Sequence, residues 1–460
     1  MDQSNTNSPT CRFSPCASLA AIGLHLCHLD LFAPIRELVH IRQKTVKHTP
    51  VQKLYDAFIS LLAGAHGLVE INTRLRTDPA LQQSFGRGSC AEQSVVQETL
   101  DACTTENVAQ LEHAMTVIYR THSQGYHHDY AAQWQLLDID MSGMPCGRRA
   151  SGAEKGYFAK QRNRRGRQVG RVLATWYDEI VVDRLFPGKT QLAAAFQSLV
   201  GAAEQTLDLD EPKRCRTILR MDAGGGSIED INWALQRGYH VHCKEYSGRR
   251  TRNIAAQVVR WEDDPQSAGR QVGWVSVSDE RYIRPLSRLA VRCRKKNGQW
   301  AVGVIVSSLT PQDVIVLTGQ PIERVHDPLT VLLAYMYFYD LRGGGVETVT
   351  KEDKQGLGLT KRNKKGFAAQ QMLVQLGALA HNVIVWARGW LAAAAPKLAL
   401  LGIKRLVRDV WHVSGMLRYA ATGHIAQVIL NDRDPFALSL VIGLAALLMP
   451  QDIVVSLGET

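Results

Sequence analysis

Thr217-Ile218-Leu219-Arg220-Met221-Asp222-Ala223-Gly224-Gly225-Gly226-Ser227 is the stretch whose reading decides the fold. Thr217, Ile218, Leu219 and Met221 suit a buried strand, and the glycines permit dihedrals and close approaches that other residues resist. Ser227-Ile228-Glu229-Asp230 then has the form of an N-cap with an acid three residues on, opening a helix with Ile231, Trp233, Ala234 and Leu235. Asp222 is thereby expected at the carboxyl end of a strand, where open α/β sheets place their sites. Acid followed by glycine is also common in plain turns. The run is not a dinucleotide fingerprint, because a Gly-x-Gly-x-x-Gly begun at Gly224 would need glycine where Glu229 stands.

Two further segments offer acids in similar settings. Trp134-Gln135-Leu136-Leu137-Asp138-Ile139-Asp140-Met141-Ser142 reads as a second apolar strand ending in acid. Asp138, Asp140 and Ser142 share a face by the period of two, and Asp140, nearer the strand end, is preferred over Asp138. An edge strand with a polar face is the plain alternative. Downstream, Tyr339-Asp340-Leu341-Arg342 precedes Val346-Glu347-Thr348-Val349-Thr350-Lys351-Glu352-Asp353-Lys354. On a helix, Glu347, Lys351 and Lys354 would lie at i, i+4 and i+7, which taken alone is an ordinary solvated face. Three carboxylates from separate segments can together hold two divalent ions about 3.5–4 Å apart for in-line displacement at phosphorus. Mg²⁺, with Mn²⁺ as a substitute, suits such oxygen ligands. Arg342 and Lys354 would neutralise phosphates beside them.

At these residues the chain resembles the DDE transposases of bacterial insertion sequences, in the group with a Tyr, Arg, Glu, Lys signature around the third acid. The resemblance rests on LDIDMS (137–142), RMDAGGGSIEDINWALQRGY (220–239) and YDLRGGGVETVTKEDK (339–354), and extends to LFPGKT (185–190). It covers about residues 50–395. It implies Asp140, Asp222 and Glu347 as catalytic metal ligands, and Tyr339, Arg342 and Lys354 as contacts to the transposon-end backbone. It also implies a ribonuclease-H-like core with a β-strand insertion, in which Trp261, Trp274 or Trp300 could stack on a flipped base. One departure stands out: the family places three residues between Arg and Glu, whereas Gly343, Gly344, Gly345 and Val346 make four. Glycine weakens a helix by about 1 kcal/mol relative to alanine, so Arg342 and Glu347 need not share one helical face. Glu352 is the reserve third acid.

Composition is compatible with a nucleic-acid partner. Lys plus Arg number 54 against 43 Asp plus Glu, a formal charge of +11, which favours polyanions. Lys155, Lys160, Arg162, Arg164, Arg165 and Arg167 crowd one segment, and Lys361, Arg362, Lys364 and Lys365 another. Both flank the candidate acids in sequence, as a DNA channel requires, although solvated loops have the same composition. From these runs and the signature helix, Arg164, Arg165, Lys351, Lys361, Arg362, Lys364 and Lys365 join the expected DNA contacts. Nine scattered cysteines without a C-x-x-C argue for a reducing cytosol and against a zinc ribbon or disulfide framework. The start lacks a secretory signal, and the apolar stretches at 367–401 and 436–449 are interrupted or too short to span a bilayer.

The expected architecture is α/β. A flexible leader (1–45) precedes a helical DNA-end-binding domain (46–130), in which Ser89-Cys90-Ala91-Glu92 reads as a capping box. The ribonuclease-H-like core comprises 131–245 and 328–400, interrupted by a β-rich insertion (246–327) with a hairpin turn at Asn297-Gly298. A C-terminal helical region (401–460) is available for dimerisation. Within the core the pattern predicts strands at 134–142, 168–177, 179–185, 215–222 and 239–244, and helices at 190–206 and 228–237. The function these readings imply is binding of double-stranded DNA at terminal inverted repeats by a homodimer. Metal-dependent cleavage and joining to target DNA follow, in a cytoplasmic, nucleoid-associated protein with no membrane partner. A non-catalytic DNA-binding descendant, or another nuclease or recombinase, is the alternative.

Overall fold

Apolar strand sequences alternating with helices that bury one face build the sheet on which the candidate acids stand. The computed structural model describes residues 10–158, 161 and 163–459; Lys160 and Arg162 of the first basic run lie outside them. The chain divides into two units, one formed by 124–144 and 154–349, the other by the segments up to 123, 145–153 and from 350 onward.

The first of these units holds a ten-stranded sheet among the described residues. In chain order its strands are β1 (Gln135–Pro145), β2 (Glu154–Lys155), β3 (Arg165–Ala174), β4 (Glu179–Pro187), β5 (Thr217–Met221), β6 (His240–Lys244), β7 (Glu262–Asp263), β8 (Arg270–Trp274), β9 (Ser287–Arg294) and β10 (Trp300–Ser307). They run β2-β3-β1-β5-β6-β10-β9-β8-β7 across the sheet, with β4 also paired to β3. Strands β1, β5 and β6 are parallel neighbours. The helix Leu192–Leu207 links β4 to β5, and Ile228–Gln236, capped by the Ser227 hydroxyl, links β5 to β6. The core elements lie within a few residues of the positions expected from sequence.

The β-rich stretch extends this same sheet, because β10 pairs antiparallel with β6 and carries β9 and β8 outward. The turn at Asn297-Gly298 forms as expected, with Gly298 at φ +79°. Strand β8 ends at Trp274. Across one face of the sheet lies the helix Pro328–Arg342, whose Val331, Tyr335 and Phe338 pack with Leu136, Ile218, Val272, Leu289 and Ile305 from five strands.

A charged pair is sealed beneath that helix. Asp138 and Arg220 are registered opposite each other on β1 and β5, and both side chains are 0% exposed. The guanidinium makes two bonds to the carboxylate, at 2.6 and 2.8 Å, and a third to the Phe338 carbonyl at 2.5 Å. A buried charge must be paired and hydrogen-bonded in this way to be tolerated.

The second unit departs from two expectations. Residues 11–45 are no flexible leader: Cys11–Ser14 is a strand and Ala17–His28 a helix with Leu19, Ala20, Ala21 and Ile22 buried. Its run of small and apolar residues is buried nearly all round and so lacks an amphipathic signature. Residues 401–460 are not helical throughout, since Cys11–Ser14, Gly415–Tyr419, Ile425–Asn431 and Val454–Gly458 form a four-stranded sheet in that order, beside the helix Ala437–Leu448. Pairing between the two ends of a chain has no local signal to read. The segment 46–130 is helical, with Pro50–Leu62 and Thr105–His122 opened by capping boxes at Thr49 and Thr104. Ser89 caps nothing there; the helix starts at Gln93 after Glu92. All nine cysteines are free thiols.

Replacing Asp138 by Asn removes one partner of the sealed pair and leaves the Arg220 charge buried. Urea unfolding should show a loss of about 3–5 kcal/mol; a loss below about 1 kcal/mol would show that the pair does not hold the sheet and helix together.

Candidate active site

Asp140 and Asp222 reach the same end of the sheet because their strands are parallel neighbours. The last registered pair between β1 and β5 is Ile139 with Met221, and each acid is the next residue along its strand. Asp222 turns the chain out of β5: its Oδ1 accepts the Gly224 N–H at 2.8 Å. The glycine run is demanded most strongly at Gly226, where a Cβ would stand 1.9 Å from the Lys244 carbonyl.

The third acid arrives from the end of the helix Pro328–Arg342. Arg342, 2% exposed, donates to Asp140 Oδ1 at 2.8 Å, to the Ile139 carbonyl at 3.1 Å and to Glu347 Oε1 at 2.7 Å. The extra residue of the glycine run is absorbed in the backbone. Between Arg342 and Glu347 the helical run is kinked at Gly345, whose dihedrals (φ −86°, ψ −115°) leave the helical region. A kink lets the chain take up a residue that a continuous α-helix would carry round to another face. Arg342 and Glu347 therefore meet despite their spacing. Gly345 also lies against the sealed pair: a Cβ there would be 2.8 Å from Asp138 Oδ2 and 3.1 Å from Thr175 Cγ2, whereas Gly343 and Gly344 face open space.

The electrostatics tie these groups into one site. Burial pushes the Asp140 carboxyl above its ordinary range; Arg342 pulls it back down, while Asp222 and Glu347 push it up. Arg342 is desolvated, yet its guanidinium is held more firmly protonated than usual, with Asp140 the foremost of the neighbours responsible. Lys244, at the end of β6, places its ammonium 4.4 Å from the Tyr339 ring centroid. Burial lowers its pKa, and Asp222 and Glu347 are among the charges that raise it. Burial raises the Tyr339 phenol.

Three carboxylates supply the hard oxygen donors that a divalent cation prefers, and their mutual repulsion is relieved by positive charge. Here that charge is the Arg342 guanidinium. Among the described residues, no three His, Cys, Asp or Glu side chains stand in a metal-binding arrangement. The donor chemistry fits a divalent ion, and Arg342 occupies two of the carboxylates it would use.

The remaining expected site residues are dispersed. Asp138, the weaker alternative to Asp140, is consumed by Arg220. Glu352, the reserve acid, accepts the Ile403 N–H at 2.7 Å in the second unit. Lys351 is exposed and Lys354 half-buried on the helix Thr348–Gly356. Arg164, Arg165, Lys361 and Lys365 are exposed. Arg362 and Lys364 are corrections to the expected DNA contacts, being 4% and 8% exposed. Burial lowers Lys364 to about 8 and its ammonium bonds Gln97; burial lowers Arg362 to about 9. Arg167 of the first basic run is also buried, and Tyr339 and Arg342 face inward as well. Trp274 packs edge-on against Tyr335, and Arg292 is sandwiched between Trp261 and Trp300 at 4.2 and 4.5 Å. Sequence reading missed Arg220 and Lys244. An arginine in an apolar strand opposite an aspartate was the available signal for the first. The second stands one residue beyond the Met221–Cys243 pair, beside Asp222.

Neither family models nor curated proteins match the chain. Among solved structures it is similar to a piggyBac transposase synaptic complex with hairpin DNA, at 13% identity and a TM-score of 0.42, over 87% of this chain and 80% of that one.

The geometry of the glycine run is open to a direct check. Gly345→Ala should lower the urea midpoint and loosen the site, because its methyl meets a carboxylate that the buried pair holds in place. Gly344→Ala should raise stability by up to about 1 kcal/mol if its backbone accepts alanine. Equal tolerance at both positions would contradict the close approach.

Proposed function

We propose that this protein is a DDE-type DNA transposase of the insertion-sequence kind, with a ribonuclease-H-like core formed by β1, β3–β6 and the helices between them. The observation that carries the reading is the bridge from Asp140 through Arg342 to Glu347, beside Asp222 on the adjacent strand. Asp140, Asp222 and Glu347 would hold Mg²⁺ or Mn²⁺. When bound, the ion supplies Lewis acidity for activating a nucleophile and stabilising a leaving oxygen at phosphorus.

The chain's own groups then have distinct tasks. Gly224 fixes the Asp222 carboxylate through its N–H. Arg342 neutralises Asp140 and Glu347, and with those acids holding a cation its guanidinium would be available to a phosphate oxygen. Lys244 adds positive charge next to the acids, where negative charge grows in phosphoryl transfer. Lys354 and the exposed Arg164, Arg165, Lys361 and Lys365 bind DNA backbone. Water attacks first at the element end, and the freed 3′-hydroxyl then attacks a second phosphodiester. Tyr339, buried with its ring against the Lys244 ammonium, forms no covalent adduct. The active species is a homodimer that brings two ends together.

The test uses labelled duplexes from the DNA flanking the protein's own coding sequence, with and without Mg²⁺. Wild type should nick at the element end only with metal, and Asp222→Ala should cut at least about 10³-fold more slowly while retaining end binding. Binding without nicking by wild type would identify a non-catalytic descendant. Metal-independent nicking with a trapped tyrosyl adduct would overturn the assignment.

A further inference from the structure

Within the unit that carries the sheet, the start of the helix Gly248–Ala255 and the loop leading into β9 enclose a cleft of about 490 Å³. Arg249, Arg250, Arg281 and Arg288 line it, against Asp279 as the lone lining carboxylate, a formal excess of three positive charges. Asp279 is already shared. Its Oδ2 accepts from Arg250 and Arg281 at 2.8 Å and from Arg288 at 3.2 Å, and its Oδ1 accepts from Arg281 at 2.8 Å. The bonds from Arg281 hold this carboxyl well below the usual range.

Further compensation is weak. Glu245 lies 3.3 Å behind Arg250, where burial raises its pKa and so disfavours its charged form. The Nε of Arg250 is buried without a hydrogen-bond partner. Arg249 is exposed and pairs with no carboxylate among the described residues. The first turn of the helix contains no acid, so its positive end adds to the excess. Asp279 is shared by three guanidiniums, of which Arg250 also faces Glu245 and Arg288 also donates to the Val277 carbonyl; the unbonded Nε of Arg250 and Arg249, which pairs with no carboxylate among the described residues, leave donor capacity for another anion. Guanidinium forks match phosphate geometry.

We propose that this cleft is a binding site for phosphodiester groups of a duplex DNA backbone. Exposed Arg252 on the same helix and Arg284 on the same loop favour an extended polyanion over a small phosphate compound. The site is separate from the three carboxylates and stands whether or not those acids cleave DNA.

The test is fluorescence anisotropy of the full chain with a mixed-sequence duplex across a salt series. Arg249→Gln with Arg281→Gln should weaken binding about tenfold and reduce the slope of log K against log salt by about 2, and Arg249→Gln alone by about 1. Lys397→Gln, the same charge change on an exposed lysine elsewhere, should leave the slope unchanged. Arg249 has no ion pair to lose, so the single variant tests the site even if the double variant is destabilised. Unchanged slopes in both variants would overturn the proposal, as would an equal effect of Lys397→Gln. Inorganic pyrophosphate raising the melting temperature of wild type but not of the double variant, with DNA slopes unchanged, would assign the cleft to a small phosphate ligand and overturn it too.

Discussion

Everything at the candidate site hangs on a guanidinium and a carboxylate that water cannot reach. Taking Asp138 and Arg220 out of solvent costs several kcal/mol per ion, and only close, fully bonded geometry offsets it. That geometry joins three elements: β1 through Asp138, β5 through Arg220, and the helix Pro328–Arg342 through the Phe338 carbonyl. The strands so joined carry Asp140 and Asp222, and the helix so joined carries Arg342 toward Glu347. The same carboxylate sets how closely Gly345 can approach. A structural ion pair two residues before Asp140 thus fixes where the acids from three segments stand.

The second constraint is repulsion among those acids. Burial is the main cause that raises the Asp140 pKa; Asp222 and Glu347 add to it, and Arg342 offsets part of the rise. A site of this kind is cohesive only with a cation in it. Arg342 fills the role internally, which explains why a side chain expected at a DNA surface is 2% exposed. Its exchange between carboxylates and phosphate is the step in which the proposed chemistry would begin.

Much of this was legible in sequence because it is local. The strand ending at Asp222, the glycines after it and the Ser227 cap state their own conformations, and the core strands and helices lie close to their expected places. Asp140 was separable from Asp138 by position alone, yet the reason, a buried arginine across the sheet, is a tertiary fact. The four residues between Arg342 and Glu347 read as an interruption because spacing rules assume α-helical turns; the helix is indeed kinked at Gly345, and the kink lets the two side chains meet. Net charge misled at Arg362 and Lys364, since alternation along the chain sends every second basic residue inward. The strand Cys11–Ser14 could not be read, because its partner lies some four hundred residues away.

The central claim, that Asp140, Asp222 and Glu347 form one cation site, is tested most directly by loading the protein with Fe²⁺ and mapping the backbone cuts made by the radicals it generates. Cuts clustered near residues 140, 222 and 347, suppressed by excess Mg²⁺ and by Asp222→Ala, are the expected result. Cuts elsewhere, or none at those three segments, would contradict it.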